Sequence, residues 1–225
     1  MSPICGLISV QVKQASWMVQ RILKVHKYLQ EVGYSEHDLI NKDKYSIKEV
    51  YQQMRGNMER VEWRKLVWAN LGAPKWLFIL YIALNKRQLT KDRLAQWGLT
   101  KEVTCPLCQA TDEDIDHLFF KCSNAEKVWR KLLGWQGIQR QSMNWQEEVQ
   151  WAIRNMKGKS SKMQVYRMTM AGALYWLWRE RNCRIFQKKQ RTQESIVRQV
   201  IQEVHGRGSR QPRLASRLQE LNVYP

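Results

Sequence analysis

The chain has 225 residues, 44% of them apolar, and carries 38 Lys+Arg against 20 Asp+Glu for a formal net charge of +18. That length buries a real core in one domain or two small ones. Five cysteines, with Cys5 and Cys183 far from the other three, do not make the framework of a secreted disulfide-rich domain, so a reducing compartment is expected.

The charge is lopsided. Residues 1–150 hold 22 Lys+Arg and 16 Asp+Glu, a net of +6, whereas residues 151–225 hold 16 and 4, a net of +12. Such an excess favours polyanionic partners, above all nucleic acid, with solubility alone as the plainer alternative. Met1 to Val12 lacks a basic start followed by a sustained apolar run, so no secretory signal is read. The longest apolar run, Trp76 to Leu84, is too short to span a bilayer and reads as a buried helix. The expected location is intracellular and nuclear, with no membrane partner.

The N-terminal segment, residues 1–44, shows helical spacing over 17–32 through Val19, Ile22, Leu23 and Leu29, with Ser16 as cap and Gly33 as stop. Ser46 and Glu49 have capping-box spacing for a helix over Ile47–Met54, ended by Gly56. Trp63, Leu66, Val67 and Leu71 repeat at helical spacing until Gly72-Ala73-Pro74, and Pro74 suits the first turn of the next helix. Thr90 is placed to cap a helix with Leu94 and Trp97 facing inward and Gly98 as stop. Ser123 and Glu126 form a second capping box, for a helix carrying Val128, Trp129, Leu132 and Leu133 and ending near Gly134.

A third box, Asn144 with Glu147, opens a helix to about Met156. Ser160 or Ser161 caps the long apolar stretch Met163–Phe186. Thr192 starts a last helix with Ile196, Val197, Val200, Ile201 and Val204 inside, ended by Gly206. Residues 207–225 read as a basic, mobile tail with at most a turn of helix around Leu218. Strand-like alternation is scarce, and eleven tryptophans offer large anchors between helices. The expected fold class is mainly α, a helical domain organised around a small zinc-binding turn or hairpin.

That turn lies between Gly98 and Ser123. Cys105, Cys108, His117 and Cys122 have C-x2-C-x8-H-x4-C spacing. Two cysteines separated by two residues can face one ion across a tight turn, and a His and a Cys five apart can complete a tetrahedron. Four protein ligands leave no open position for water, so the expected cofactor is a structural Zn2+.

Other chemistries fit less well. A retroviral zinc knuckle has a shorter loop before its His, and a zinc-dependent deaminase needs an H-x-E that is missing here. Asp112, Glu113, Asp114 and Asp116 suggest a two-metal nuclease cluster, against the plainer reading of a solvated acidic loop, which is preferred. Asp116 has a further possible role as a hydrogen-bond acceptor for a metal ligand. Phe119 and Phe120 are read as core rather than base-stacking residues, and His26, His37 and His205 as surface or cap residues. No nucleophile motif supports Ser-His-Asp catalysis.

The segment from Tyr45 to Gly137 resembles the zinc-binding domain that follows the reverse transcriptase of plant non-LTR (LINE-type) retrotransposons. Matching stretches are Tyr45-Ser-Ile-Lys48; Trp63, Leu66, Trp68 and Pro74-Lys75; Leu89-Thr-Lys-Asp-Arg-Leu94; Cys105-Pro-Leu-Cys108; and Asp116-His-Leu-Phe-Phe-Lys-Cys122 with Val128-Trp129. Trp178-Arg-Glu-Arg-Asn182 and Phe186 resemble a further segment downstream in these elements. Tyr81 departs from the pattern, which often has Trp there. The resemblance implies the C-terminal part of a retrotransposon polyprotein, in a region thought to grip template RNA or target DNA. The Y-x-D-D core of the catalytic reverse transcriptase does not occur in the chain.

The expected organisation is therefore an N-terminal helical segment (1–44), a reverse-transcriptase-associated zinc-binding domain (45–137), a basic helical region (138–206) and a basic tail (207–225). The expected function is non-catalytic binding of RNA or DNA through phosphate contacts. Arg179, Arg181, Arg184, Lys188, Lys189 and Arg191 are the candidate nucleic-acid contacts. The alternatives are a protein-interaction or scaffolding module, whose tryptophans would partly form the groove for a protein partner, and an inactive retrotransposon remnant.

Overall fold

A computed structural model describes Gly33, residues 47–56 and residues 60–221. The chain divides into two compact units, residues 1–60 and 61–225. In the first, α1 (Ile47–Arg55) carries Glu49 in its first turn and Arg55 in its last, the polarity that suits the helix dipole. Gly56 follows with a φ of +64°, a left-handed stop. The helix expected over 17–32 and the cap at Ser46 lie outside the described residues.

The second unit begins with α2 (Arg64–Trp68). It is shorter than the spacing to Leu71 suggested, because buried Asn70 intercepts the backbone. Its amide donates to the Leu66 and Arg167 carbonyls, each at 2.8 Å, and its oxygen accepts the Gly72 N–H at 2.8 Å. Pro74 then occupies the first turn of α3 (Pro74–Leu84), as its missing N–H and fixed φ predict. After α4 (Lys91–Gln96), Gly98 has a φ of +71°. Trp97, expected inside, is 54% exposed: α4 ends at Gln96, and Trp97 lies just past it with the Arg93 guanidinium over its ring at 5.3 Å.

A π-helical turn (His117–Lys121) leads into α5 (Ser123–Trp135). α6 (Trp145–Asn155) has both halves of its capping box, with Asn144 accepting the Glu147 N–H. α7 (Ser161–Asn182) is capped by Ser160 and runs into a second π-turn (Cys183–Gln187). Thr192 caps α8 (Gln193–Gly208) by accepting the Ser195 N–H.

α7 is the central post. It packs against α3, α5, α8 and α9 (Pro212–Gln219), and α8 packs in turn on α5. Gly172 permits a close approach, because a Cβ there would lie 3.3 Å from Val200 Cγ1 and 3.5 Å from Trp76 Cζ3. Trp76 and Trp129 are fully buried, and Trp145 and Trp176 nearly so, which makes them the anchors expected of a Trp-rich chain. The core runs on past residue 137, with Trp129 edge-on to Tyr166 at 5.8 Å.

Two C-terminal expectations change. α8 continues through Gly206 to Gly208 rather than stopping. The tail expected to be mobile folds into α9, because Leu214, Leu218 and Leu221 all bury against the bundle. A Cβ at Gly208 would collide with Leu218, so the glycine makes room for the tail instead of ending the fold. Among the described residues there is no strand, only one antiparallel bridge between Thr104 and Asp112. No helix among them is long and apolar enough to cross a membrane.

Candidate metal centre

Two local structures bring the four ligands together. The first is the small hairpin implied by the Thr104–Asp112 bridge. Cys105 N–H donates to Thr111 O and Glu113 N–H to Val103 O, both at 2.8 Å. Gln109 N–H closes a turn on Cys105 O at 2.8 Å, with Gln109 itself at a φ of +56°. This turn points Cys105 and Cys108 to the same side. The second structure is the π-turn. In an α-helix, residues five apart point about 140° from one another. Here Cys122 N–H reaches back to His117 O at 2.6 Å, an i→i+5 bond, and the widened turn returns Cys122 towards His117.

The four ligand atoms lie within 4.8 Å of one another. Cys105 and Cys122 sulfurs are 4.0 Å apart, and Cys108 Sγ is 3.2 Å from His117 Nε2. A tetrahedral zinc with ordinary Zn–S and Zn–N bonds has edges of about 3.5–3.8 Å, so these donors fit it once the widest separation closes by about an ångström. Cys105 and Cys122 are completely buried, while Cys108 and His117 lie at the rim. The hydrogen bond to Cys122, with burial, holds the Cys105 thiol far above its usual range. The same bond lowers Cys122, against its own burial and helped by the Ala125 and Asn124 N–H groups. Two buried sulfurs thus compete for protons, an arrangement a bound cation relieves by displacing them. When bound, the ion supplies a cross-link between the hairpin and the start of α5.

Cys122 also explains a missing cap. It occupies the N-cap position of α5 and makes no side-chain cap hydrogen bond, and Ser123, read as the cap, is already inside the helix. The chain is turned so that Cys122 faces the other ligands, which moves Ser123 one position too far.

The acidic loop between Cys108 and His117 is solvated only in part: Asp112 and Asp114 are exposed and Asp116 is half-buried, and Glu113 departs from that reading. Glu113 is completely buried. Its Oε1 accepts the Lys91 N–H at 2.9 Å, and its backbone carbonyl accepts the Asp92 N–H at 3.2 Å. Glu113 therefore caps α4 from another part of the chain, in place of Thr90, which makes no side-chain cap bond. Asp114 Oδ1 accepts the His117 N–H at 2.6 Å at the head of the π-turn. Asp116 Oδ1 accepts the Trp145 N–H at 2.5 Å at the head of α6, and Oδ2 pairs with Lys121 at 2.7 Å. Three acidic side chains thus sit at three positive helical ends, where the dipole stabilises them. Asp116 therefore serves α6, not a metal ligand. Among the described residues, the Cys/His set is the cluster of three or more potential ligands, and the Asp112–Asp116 carboxylates form none.

The candidate nucleic-acid residues separate. Arg181 is 3% exposed and grips Glu113 through Nε at 3.1 and 3.2 Å and Nη2 at 2.8 Å. Arg184 bonds Glu180 through Nε at 2.8 Å and donates from Nη1 to the Leu107 and Pro106 carbonyls at 2.8 and 3.3 Å. Asn124 donates to the same Leu107 carbonyl at 2.6 Å. Arg184 is thus a clamp on the Cys105–Cys108 turn and Arg181 a clamp on Glu113 of the following loop, and Arg181 is shut off from any phosphate. Arg179, Lys188, Lys189 and Arg191 are exposed, with Arg179 and Arg191 over the Trp176 ring at 4.7 and 5.1 Å. Sequence reading missed Glu113 and Glu180 as parts of the site. Their only signal was a carboxylate between metal ligands and another beside an arginine, which does not reveal a partner 68 residues away.

Residues 45–129 match the family described as zinc-binding in reverse transcriptase. The matched segment contains all four ligands and ends within α5. Its dock on α7 lies outside the match, so the clamp arginines belong to the fold but not to the matched segment. Searches of curated proteins and of solved structures gave no match.

Proposed function

We propose that the chain is a zinc-stabilised, non-catalytic module that binds RNA or DNA largely through phosphates, and that it derives from the reverse transcriptase polyprotein of a LINE-type retrotransposon of plants. The observation that carries this reading is the charge: residues 151–225 have a net of +12, and Lys188, Lys189 and Arg191 lie exposed beside the candidate metal centre. The family match at residues 45–129 supports the origin. A four-ligand site with two sulfurs fully buried supports a structural rather than catalytic ion. The metal loop is acidic, with Asp112 and Asp114 exposed, which supports placing the attraction for phosphate after residue 150. A nuclear location follows from this reading.

The test is binding of labelled single-stranded RNA, single-stranded DNA and duplex DNA across a salt series, with and without chelator. The logarithm of affinity is expected to fall linearly with the logarithm of salt concentration. No binding, or binding indifferent to salt, overturns the reading.

A second reading has its own observation. Trp63 and Trp68 stack at 5.7 Å, with Tyr81 edge-on to both at 6.0 and 6.1 Å, and Trp68 is 66% exposed. A surface aromatic cluster of this kind suits a protein partner. Salt-independent capture of a protein by wild type, lost in Trp68→Ala, would favour it.

A further inference from the structure

Phe186 is 77% exposed, the largest exposure of the exposed large apolar side chains. Leaving a phenyl ring in water forgoes about 1.5–3 kcal/mol of burial free energy. The backbone that presents it is well held. Phe186 lies in the π-turn Cys183–Gln187, which closes with the Lys188 N–H on the Cys183 carbonyl, and Lys188 then takes a left-handed φ of +55°. On one side Arg184 is bonded to Glu180 and to the Pro106 and Leu107 carbonyls. On the other, Arg191 N–H donates to the same Glu180 carboxylate at 2.9 Å. The turn is thus fastened at both ends, with the ring held outward between them.

Beside the ring lies an open groove of about 760 Å3, whose walls include Leu94, Leu99, Pro106, Ile185 and Lys188. Leu99, which also lines the groove, is 70% exposed and adds an apolar side chain to it. Glu102, the carboxylate in this groove, is bonded to Lys91 Nζ at 2.9 Å, which offsets its charge. Immediately after the ring come the exposed cations Lys188, Lys189 and Arg191. An apolar slot would suit many partners, but an exposed ring followed by clustered cations suits one in particular. A flat aromatic face stacks with any unpaired base, while adjacent ammonium groups meet the phosphates on either side. In a duplex the bases are stacked on each other and that face is not available.

We propose that Phe186 is a stacking platform for an unpaired nucleobase, which enters the groove between Ile185 and Leu99 while Lys188 and Lys189 hold its flanking phosphates. This rests on the nucleic-acid reading above and specifies it: the ligand is single-stranded, and its grip is at the turn after α7. RNA and DNA strands offer the same base and phosphate chemistry, so both are tested.

The experiment measures affinity of the zinc-loaded full chain for fluorescent single-stranded RNA, single-stranded DNA and their duplexes by anisotropy, over a salt series. Phe186→Ala is expected to weaken single-strand binding roughly 5- to 150-fold. Duplex affinity and the salt slope should not change. Phe186→Tyr should restore single-strand binding. Lys188→Gln with Lys189→Gln should flatten the single-strand salt slope by roughly 1.4, about 0.7 for each phosphate no longer neutralised. A loss confined to RNA or to DNA supports the site and names its polymer. If wild type binds single strands and Phe186→Ala binds equally well, or loses duplex binding to the same degree, this assignment is wrong while the broader reading stands. If wild type binds no nucleic acid at all, both fall.

Discussion

Arg181 and Arg184 lie in the same basic run as Lys188 and Lys189, yet the two pairs do different work. The first pair faces the metal loop, where Glu113, Glu180 and the Leu107 carbonyl are already waiting. The second pair lies past the π-turn, where the chain leaves the bundle and both side chains are exposed. The lesson is that a cation's role depends on what another element carries within reach of it. Glu113 comes from a hairpin 68 residues earlier and turns Arg181 from a surface charge into an internal clamp.

The sharpest way to break this division is from the metal side. Cys105→Ser, or a chelator, should remove stoichiometric zinc and with it the cross-link that holds Glu113 in place. Structural zinc contributes on the order of 10 kcal/mol in small metal-dependent folds, so this should be the largest effect. Metal content by mass spectrometry and the thermal midpoint together decide it, and a variant that keeps its metal and midpoint refutes the site.

Next comes the buried pair. Arg181→Met strands the Glu113 carboxylate, and a stranded partner costs about 3–5 kcal/mol. The double variant Glu113→Leu, Arg181→Met should recover most of that. It should remain about 1 kcal/mol below wild type, because the Lys91 N–H has lost its cap. Urea unfolding of the two singles and the double closes the cycle, and additive losses would show that the pair does not act as a unit.

Arg184 is intermediate, with its side chain 14% exposed. Arg184→Ala removes charge-assisted bonds to Glu180 and to the Pro106 and Leu107 carbonyls and should cost about 1.5–3 kcal/mol. It should also speed zinc transfer to a chromophoric chelator. Lys188→Gln and Lys189→Gln should each change stability by less than about 0.5 kcal/mol. If either destabilises the fold as much as Arg184→Ala, the division between clamp and exposed strap is wrong.

Much of the helical layout is local and was legible in the chain. Asn144, Ser160 and Thr192 cap the helices they precede, because a side chain one turn away is all a cap requires. Pro74 opens α3 for the same kind of reason. The expected caps at Thr90 and Ser123 fail where the metal loop intervenes. Glu113 takes over at α4, and the geometry of Cys122 shifts the start of α5. The inward Trp97 and the stop at Gly206 also mislead, since neither periodicity nor a lone glycine reports how long a helix runs.

By itself the sequence determined the mainly helical class, the four metal-type ligands and their spacing, the core roles of Phe119 and Phe120, and the charge excess after residue 150. All of these follow from short-range spacing or from counting. The tertiary structure alone decided that Glu113, Asp114 and Asp116 cap three helical ends, that Arg181 and Arg184 clamp the metal loop, that the tail folds back as α9, and that Phe186 faces water. Each of these depends on a partner distant in the chain, and a side chain's solvation and charge are settled only when that partner arrives.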